Sequence, residues 1–454
     1  MHLIHKTIAA TLIGGTLVAC NSDSLTYSQL RVYHAAPDAP KVNVLVDGKT
    51  VLSGVDYQQS SGALRVKAGT RSIQVDAILA DGSTSTVIGP ADFNFANTDE
   101  YNLVATGKVS SDGSDGKGFG PQLSSREDVS PSQARVQVMH SAPDAPTVDV
   151  FITAPGAELS LASPFADDVS YLGVTSAVDV ADGDYQVRIT DPNDSTTVFF
   201  DSGTVSVPAG ADWFVAATDN TSAGASPVTL LIDTGDSSLV VQDVNSGADI
   251  RVVHGISDAP GVDVYVDGVA PAASSPLENL TFKAQTDYLA LDAGSTAFTV
   301  AQTGTSTFVA DLALTTDLAA NTTYTAIAIG DLGDGLSNDK LYVVEDDVRR
   351  VTTEAKLRAI HASTLAGTVD IYVSADATPS NDDVILEDIV YEADTGLLPI
   401  SPSDVYVMIT PANNSSVIAV GPVLLNLTGG SITTLVAVDD PSTGSGVGAL
   451  SLDD

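Results

Sequence analysis

The amino-acid sequence predicts an all-β protein: four tandem immunoglobulin-like antiparallel β-sandwich domains behind a lipoprotein signal peptide. Three observations carry that expectation. A segment with one histidine recurs four times, at spacings of 106, 114 and 107 residues. The residues after each histidine alternate with period two, as in a strand with one buried face. The composition favours turns over helices: Asp outnumbers Glu 50 to 8, with 37 Gly and 21 Pro among 454 residues. At 43% hydrophobic, the chain is too apolar for a disordered acidic segment.

The first 20 residues form the leader. Lys6 precedes an apolar run from Thr7 to Val18, long enough for a signal-peptide core and too short to span a bilayer. The run ends in Leu17-Val18-Ala19-Cys20, and Cys20 is the only cysteine. The arrangement resembles the bacterial lipobox. That resemblance implies cleavage before Cys20, lipidation of Cys20 and anchoring in a membrane. Asn21 and Ser22 follow, without the Asp that by analogy retains lipoproteins at the inner membrane, so the expected location is the outer membrane. A single cysteine also excludes a disulfide framework and a thiolate zinc site.

The four units are expected at 21–130, 131–246, 247–352 and 353–454. Their leading segments are RVYHAAPDAPKVNVLVDG from Arg31, VMHSAPDAPTVDVFIT from Val138, RVVHGISDAPGVDVYVDG from Arg251 and LRAIHASTLAGTVDIYVS from Leu357. The histidines are His34, His140, His254 and His361, with Asp38, Asp144 and Asp258 four residues after the first three. A strand–turn–strand block recurs next, beginning at Leu64, Val178, Leu289 and Leu398. A third, more apolar strand follows: YNLVAT from Tyr101, WFVAAT from Trp213, YTAIAI from Tyr324 and ITTLVAV from Ile432. Each unit closes on a short segment: 121–128, 238–243, 340–346 and 449–454. About 105 residues of short strands suit a sandwich, with a closed barrel as the alternative.

The repeated H-x3-D-A-P segment, its Val-Asp-Val strand and the later turn resemble a bacterial family of domains of unknown function, family 4397. The resemblance implies tandem domains on an exported protein and brings no catalytic residues. The fourth unit departs from the pattern, with Leu365 at the Asp position and Gly367 at the Pro position.

The repeated histidine is the strongest candidate for chemistry. With Asp144 and Asp149, or Asp258 and Asp263, it offers donors that suit a divalent metal. Parity points elsewhere. Val32, Val138 and Val252 share a strand face with the following histidine, so the ring enters the core, while Arg31, Arg251 and Arg358 point away. The expected role is structural: a neutral histidine bonded to the backbone of the following loop. The Asp of D-A-P is expected to accept backbone N–H groups in a turn. The loops at Asp112–Asp115 and Asp331–Asp339 carry oxygen donors but lack an EF-hand layout. No metal site, cofactor or catalytic residue is therefore expected.

The net charge of −39 excludes nucleic acid as a partner. It leaves room for weak, unspecific association with divalent cations. No G-x-S-x-G, H-E-x-x-H or phosphate-loop motif occurs. The leading expectation is a non-enzymatic envelope protein whose four domains form a rod, with the membrane lipid and an envelope protein or glycan as partners. The alternative is a binding protein for glycan, peptide or divalent cation, using loops at one end of each domain; a hydrolase comes third.

Overall fold

The computed structural model describes residues 26–333, 339–380 and 383–454. The leader, Cys20 and residues 334–338 of the Asp331–Asp339 loop lie outside the described residues. Among the described residues the regular elements are strands, with two single 3-10 turns at Leu159–Leu161 and Ala310–Leu312.

Each unit is a two-sheet sandwich. In unit 1 the histidine strand, Tyr27–His34, is central to one sheet. It pairs in parallel with Asp99–Thr106, placing Leu30 opposite Tyr101 and His34 opposite Ala105. Asp99–Thr106 then pairs antiparallel with Gly120–Glu127. The second sheet runs in the order Lys49–Val55, Val42–Val46, Gly69–Ile78, Thr84–Phe95, all antiparallel. The same plan recurs around Ala134–His140, Ala248–His254 and Ala355–His361, whose parallel partners are Asp212–Asp219, Thr323–Ile329 and Ile432–Asp439. The sandwich is thus antiparallel except for one pairing per unit. The chain leaves the first sheet after the histidine, builds the second sheet, and returns beside the strand it left, running the same way.

Four apolar cores lie between the sheets. In unit 1, Val32, Val42, Val44, Ile73, Phe95 and Tyr101 meet. Trp213 takes the place of Tyr101 in unit 2 and packs among Val136, Phe200 and Leu230. Units 3 and 4 repeat the arrangement around Ile250 and Phe298, and around Leu357 and Ile371.

Two further cores lie between units. The residue before each histidine faces out of its own sandwich, yet Tyr33, Met139, Val253 and Ile360 are all at most 1% exposed. Tyr33, Val104, Met139, Phe214 and Leu231 form one cluster joining units 1 and 2. Val253, Ile327, Ile360, Val436 and Leu450 form another joining units 3 and 4. The histidine sheets are apolar on both faces, so they bury the second face against each other and the units pair side by side. The segment between units 3 and 4 then touches unit 1. The Thr352 N–H donates to the Asp38 carbonyl at 2.8 Å, and the Arg349 guanidinium donates to the carbonyls of Pro37 at 3.0 Å and Ala39 at 2.6 Å.

Candidate functional site

All four histidines are buried, between 1% and 2% exposed. Each Nε2 lies on the carbonyl six residues ahead: Pro40 at 2.9 Å, Pro146 at 2.9 Å, Pro260 at 3.2 Å and Gly367 at 2.6 Å. A carbonyl only accepts, so Nε2 carries the proton. In units 2 to 4, Nδ1 accepts the backbone N–H two residues on, from Ala142, Ile256 or Ser363, at 3.4 Å. The ring is therefore neutral. Burial lowers its pKa in every unit, to about 4 for His34. Gly367 replaces the proline without loss because the bond needs only a carbonyl.

A second repeated device brackets the same strand. Ser61, Thr175, Thr286 and Thr395 each accept the N–H two residues before the histidine, from Val32, Val138, Val252 or Ala359, at 2.9–3.0 Å. Three residues before each hydroxyl stand Gln58, Leu172, Lys283 and Glu392, with φ of 58°, 68°, 66° and 69°. Their N–H groups donate to the histidine carbonyl at 2.8 Å in every unit. The preceding Tyr57, Tyr171 and Tyr391 stand edge-on to the histidine ring, and Phe282 holds that place in unit 3.

The Asp of the Val-Asp-Val strand does not join the histidine. Asp149, Asp263 and Asp370 accept the N–H of Asp168, Asn279 and Asp388 at 2.8, 2.8 and 2.9 Å. These three residues have φ of 49°, 54° and 56°; Asp168 and Asp388 sit in edge strands, and Asn279 in the loop that takes that place in unit 3. Asn43 does the same for Gly54 at 3.0 Å, where φ is 67°. The carboxylates hold a left-handed bulge, so the histidine–aspartate pairs considered as metal donors are not brought together. Among the described residues no group of three or more His, Cys, Asp or Glu side chains is placed to hold a metal ion. Asp112 and Asp115 cap their own loop, accepting the Ser114 and Lys117 N–H groups at 2.9 Å.

The Asp of D-A-P reaches further than its own turn. Asp38 accepts the N–H groups of Val109 at 2.8 Å and Ser110 at 2.9 Å, and the Thr352 hydroxyl at 2.9 Å. Burial works against its charge, but these hydrogen bonds hold its pKa below the usual carboxylate range. Asp258 accepts the Leu332 N–H at 3.2 Å. Unit 4 solves the problem in reverse. Asp439, at the end of the parallel strand, accepts the Leu365 N–H at 3.2 Å and bonds Ser363 and Thr364. Leu365 is free to be apolar because its loop is held from the other side.

Unit 2 has both carboxylates. Asp219 takes the Asp144 N–H at 3.1 Å, and Asp144 pairs with Lys108 of unit 1. Asp219 is 5% exposed, and among the described residues its Oδ2 has no hydrogen-bond partner. Burial, followed by the neighbouring Asp144 charge, pushes its pKa up to about 7. Asp38, Lys108, Asp144, Asp219, Arg349 and Arg350 line a cleft of about 750 Å³ at the junction of the units.

The outward arginines are buried too. Arg31, Arg126 and Arg135 interleave with Glu100, Asp212 and Asp233, including Arg126–Glu100 at 2.6 Å and Arg135–Asp212 at 2.6 Å. Arg31 and Glu100 belong to unit 1, Asp212 and Asp233 to unit 2. Burial acts to lower the Arg31 pKa, but Glu100 and its neighbours more than offset it and the net shift is upward. Between units 3 and 4, Arg251 pairs with Asp454 at 2.8 Å and Arg358 with Asp346 at 2.7 Å.

No helix among the described residues is long and apolar enough to cross a membrane. Comparison with curated proteins finds no match. Among solved structures, the Bacillus anthracis TIE protein aligns at 11% identity over 91% of this chain and 68% of its own, with a TM-score of 0.14. A product complex of the multi-modular glycogen-degrading pneumococcal virulence factor SpuA aligns at 10% identity over 87% of this chain and 38% of its own, with a TM-score of 0.17. A family model described as a domain of unknown function (DUF4397) matches residues 28–151, 134–243 and 248–372. With three tandem matches spanning most of its length, the chain belongs to the DUF4397 family.

Proposed function

We infer that this chain is a lipid-anchored protein of the cell envelope, held in the outer membrane through Cys20, with a structural or interaction role rather than a catalytic one. The observation that supports the role most directly is the fate of the repeated histidines. All four are spent on the same backbone carbonyl of their own loop, and the repeated carboxylates beside them hold loops and bulges. The repeated polar groups serve the rigidity of the loops, as a scaffold requires. The sequence supports the anchor: the sole cysteine follows an apolar run at the lipobox position. The test is fractionation of cells expressing the full chain with Cys20→Ser. The variant is expected in the soluble fraction, with the wild type in the membrane pellet after a high-salt wash. A variant that stays in the washed pellet overturns the anchor.

A binding role is the second reading, favoured by the cleft at the junction of the units. Its wall mixes Asp144 and Asp219 with Lys108 and Arg350, a lining suited to a polar ligand such as a glycan or peptide. Arg350 is exposed and makes a weak contact to the Gly430 carbonyl at 3.5 Å. Loss of a measured ligand affinity on Arg350→Ala, without loss of stability, decides for this reading.

A further inference from the structure

The second sandwich differs from the others in one layer of its core. Two inward positions on the long hairpin of the second sheet define that layer. The first lies opposite the third apolar residue of the strand after the histidine and holds Ile73, Val187, Phe298 and Val407 in units 1 to 4. The second lies opposite Gly69, Gly183, Gly294 and Ser403 and holds Phe95, Val207, Leu318 and Leu427. Every unit but the second has at least one large side chain there; unit 2 has two valines. Trp213 fills part of the space, and an apolar cavity of about 50 Å³ remains between its sheets.

The lining fixes what this cavity can hold. Val150, Val187, Val207, Trp213 and Leu230 surround it, and His140 closes one end. Both nitrogens of His140 are already hydrogen-bonded, and the Tyr185 hydroxyl donates to the Ala181 carbonyl at 2.9 Å. Water inside would lack the two to four partners it needs, and dry apolar cavities take apolar guests instead. Ile152, Tyr185, Val187 and Val205 line the other end and are only half-buried, which gives a guest its way in. The volume suits about four heavy atoms. We propose that unit 2 binds the terminal segment of an aliphatic chain in this cavity.

Trp213 is the only tryptophan of the chain, so its fluorescence reads this cavity alone. The probes are ω-bromoalkanols of four to eight carbons, whose bromine quenches indole and whose neutral head avoids repulsion by a protein of charge −39. Saturable quenching of the full-length protein is expected. Val207→Phe, the residue of unit 1, fills the space and is expected to weaken binding at least tenfold. Val207→Leu, the residue of units 3 and 4, keeps the test available if phenylalanine prevents folding, and is expected to weaken binding by a smaller factor. Phosphatidylcholine vesicles brominated near the chain ends separate the sources. Quenching by the alkanols supports a free aliphatic ligand, and quenching by the vesicles alone supports a lipid acyl chain. Quenching that rises linearly without saturation, or that is unchanged in both Val207 variants, overturns the site.

Discussion

Asp219 and His34 show how burial acts on opposite charges. Asp219 takes the Asp144 N–H on one carboxylate oxygen, and the other has no hydrogen-bond partner among the described residues. Its folded pKa of about 7 lies above the unfolded value of 3.8. In the unfolded chain it ionises first, so stability falls as pH rises from about 4 to about 7 and is level above. Asp219→Asn removes that loss. It should stabilise unit 2 at pH 8 by roughly 2–4 kcal/mol and change little at pH 4, checked by denaturant unfolding at both pH values. A variant no more stable at pH 8 than at pH 4, relative to wild type, would count against a buried strained carboxylate. His34 runs the other way. Its folded pKa of about 4 lies below 6.5, so its stability is present above about pH 6.5 and is lost as pH falls toward 4. His34→Gln keeps an N–H for the Pro40 carbonyl and should flatten the acid limb. The slope of stability between pH 6.5 and 4.5 measures it.

At the scale of the strand, each histidine segment is also held by two hydrogen bonds to the stretch that follows it, one accepted by the Ser or Thr hydroxyl and one donated by the left-handed residue. Thr286 illustrates its weight. The side chain is 5% exposed and its hydroxyl takes the Val252 N–H at 3.0 Å. Thr286→Val keeps the shape and orphans that N–H, which should cost about 1–3 kcal/mol. Thermal unfolding should show the loss, and Thr286→Ser should recover most of it. The repeat was legible wherever it was written in apolar alternation: the histidine ring turned inward and bonded its loop, as parity and the Ala-Pro context required. The hydroxyl bracket was harder to see because its residues vary, from Gln58 to Leu172, Lys283 and Glu392 at the left-handed position. None is glycine, so the usual mark of positive φ was missing. The tell was the small set Tyr57, Tyr171, Phe282 and Tyr391, each followed four residues later by Ser or Thr. The Asp of Val-Asp-Val was legible as a polar position but not as a bulge bracket, since its partner lies 11 to 19 residues away.

At the scale of the whole molecule, the strands YNLVAT, WFVAAT, YTAIAI and ITTLVAV already carried the sign of pairing. They lack alternation, and a strand apolar on both faces is buried on both. The burial of the outward Arg31, Arg251 and Arg358 was not legible because each has a partner in the paired unit, some 200 positions away in the case of Asp233 and Asp454. Pairing has a thermodynamic consequence. If Tyr33, Val104, Met139 and Phe214 form one core, units 1 and 2 cannot melt separately without exposing it. Trp213 tests this, since it reports on unit 2 alone. Val44 is fully buried in the core of unit 1, and Val44→Ala should cost about 1–3 kcal/mol there. For a pair spanning strands from Tyr27 to Val241, each kcal/mol lowers the midpoint by roughly 2–4 °C. The Trp213 fluorescence midpoint should therefore fall by several degrees, although the substitution touches no residue of unit 2. A Trp213 transition that stays in place while circular dichroism shows an earlier melting phase would mean that the sandwiches unfold one by one, and that the buried face between them is too weakly packed to couple them.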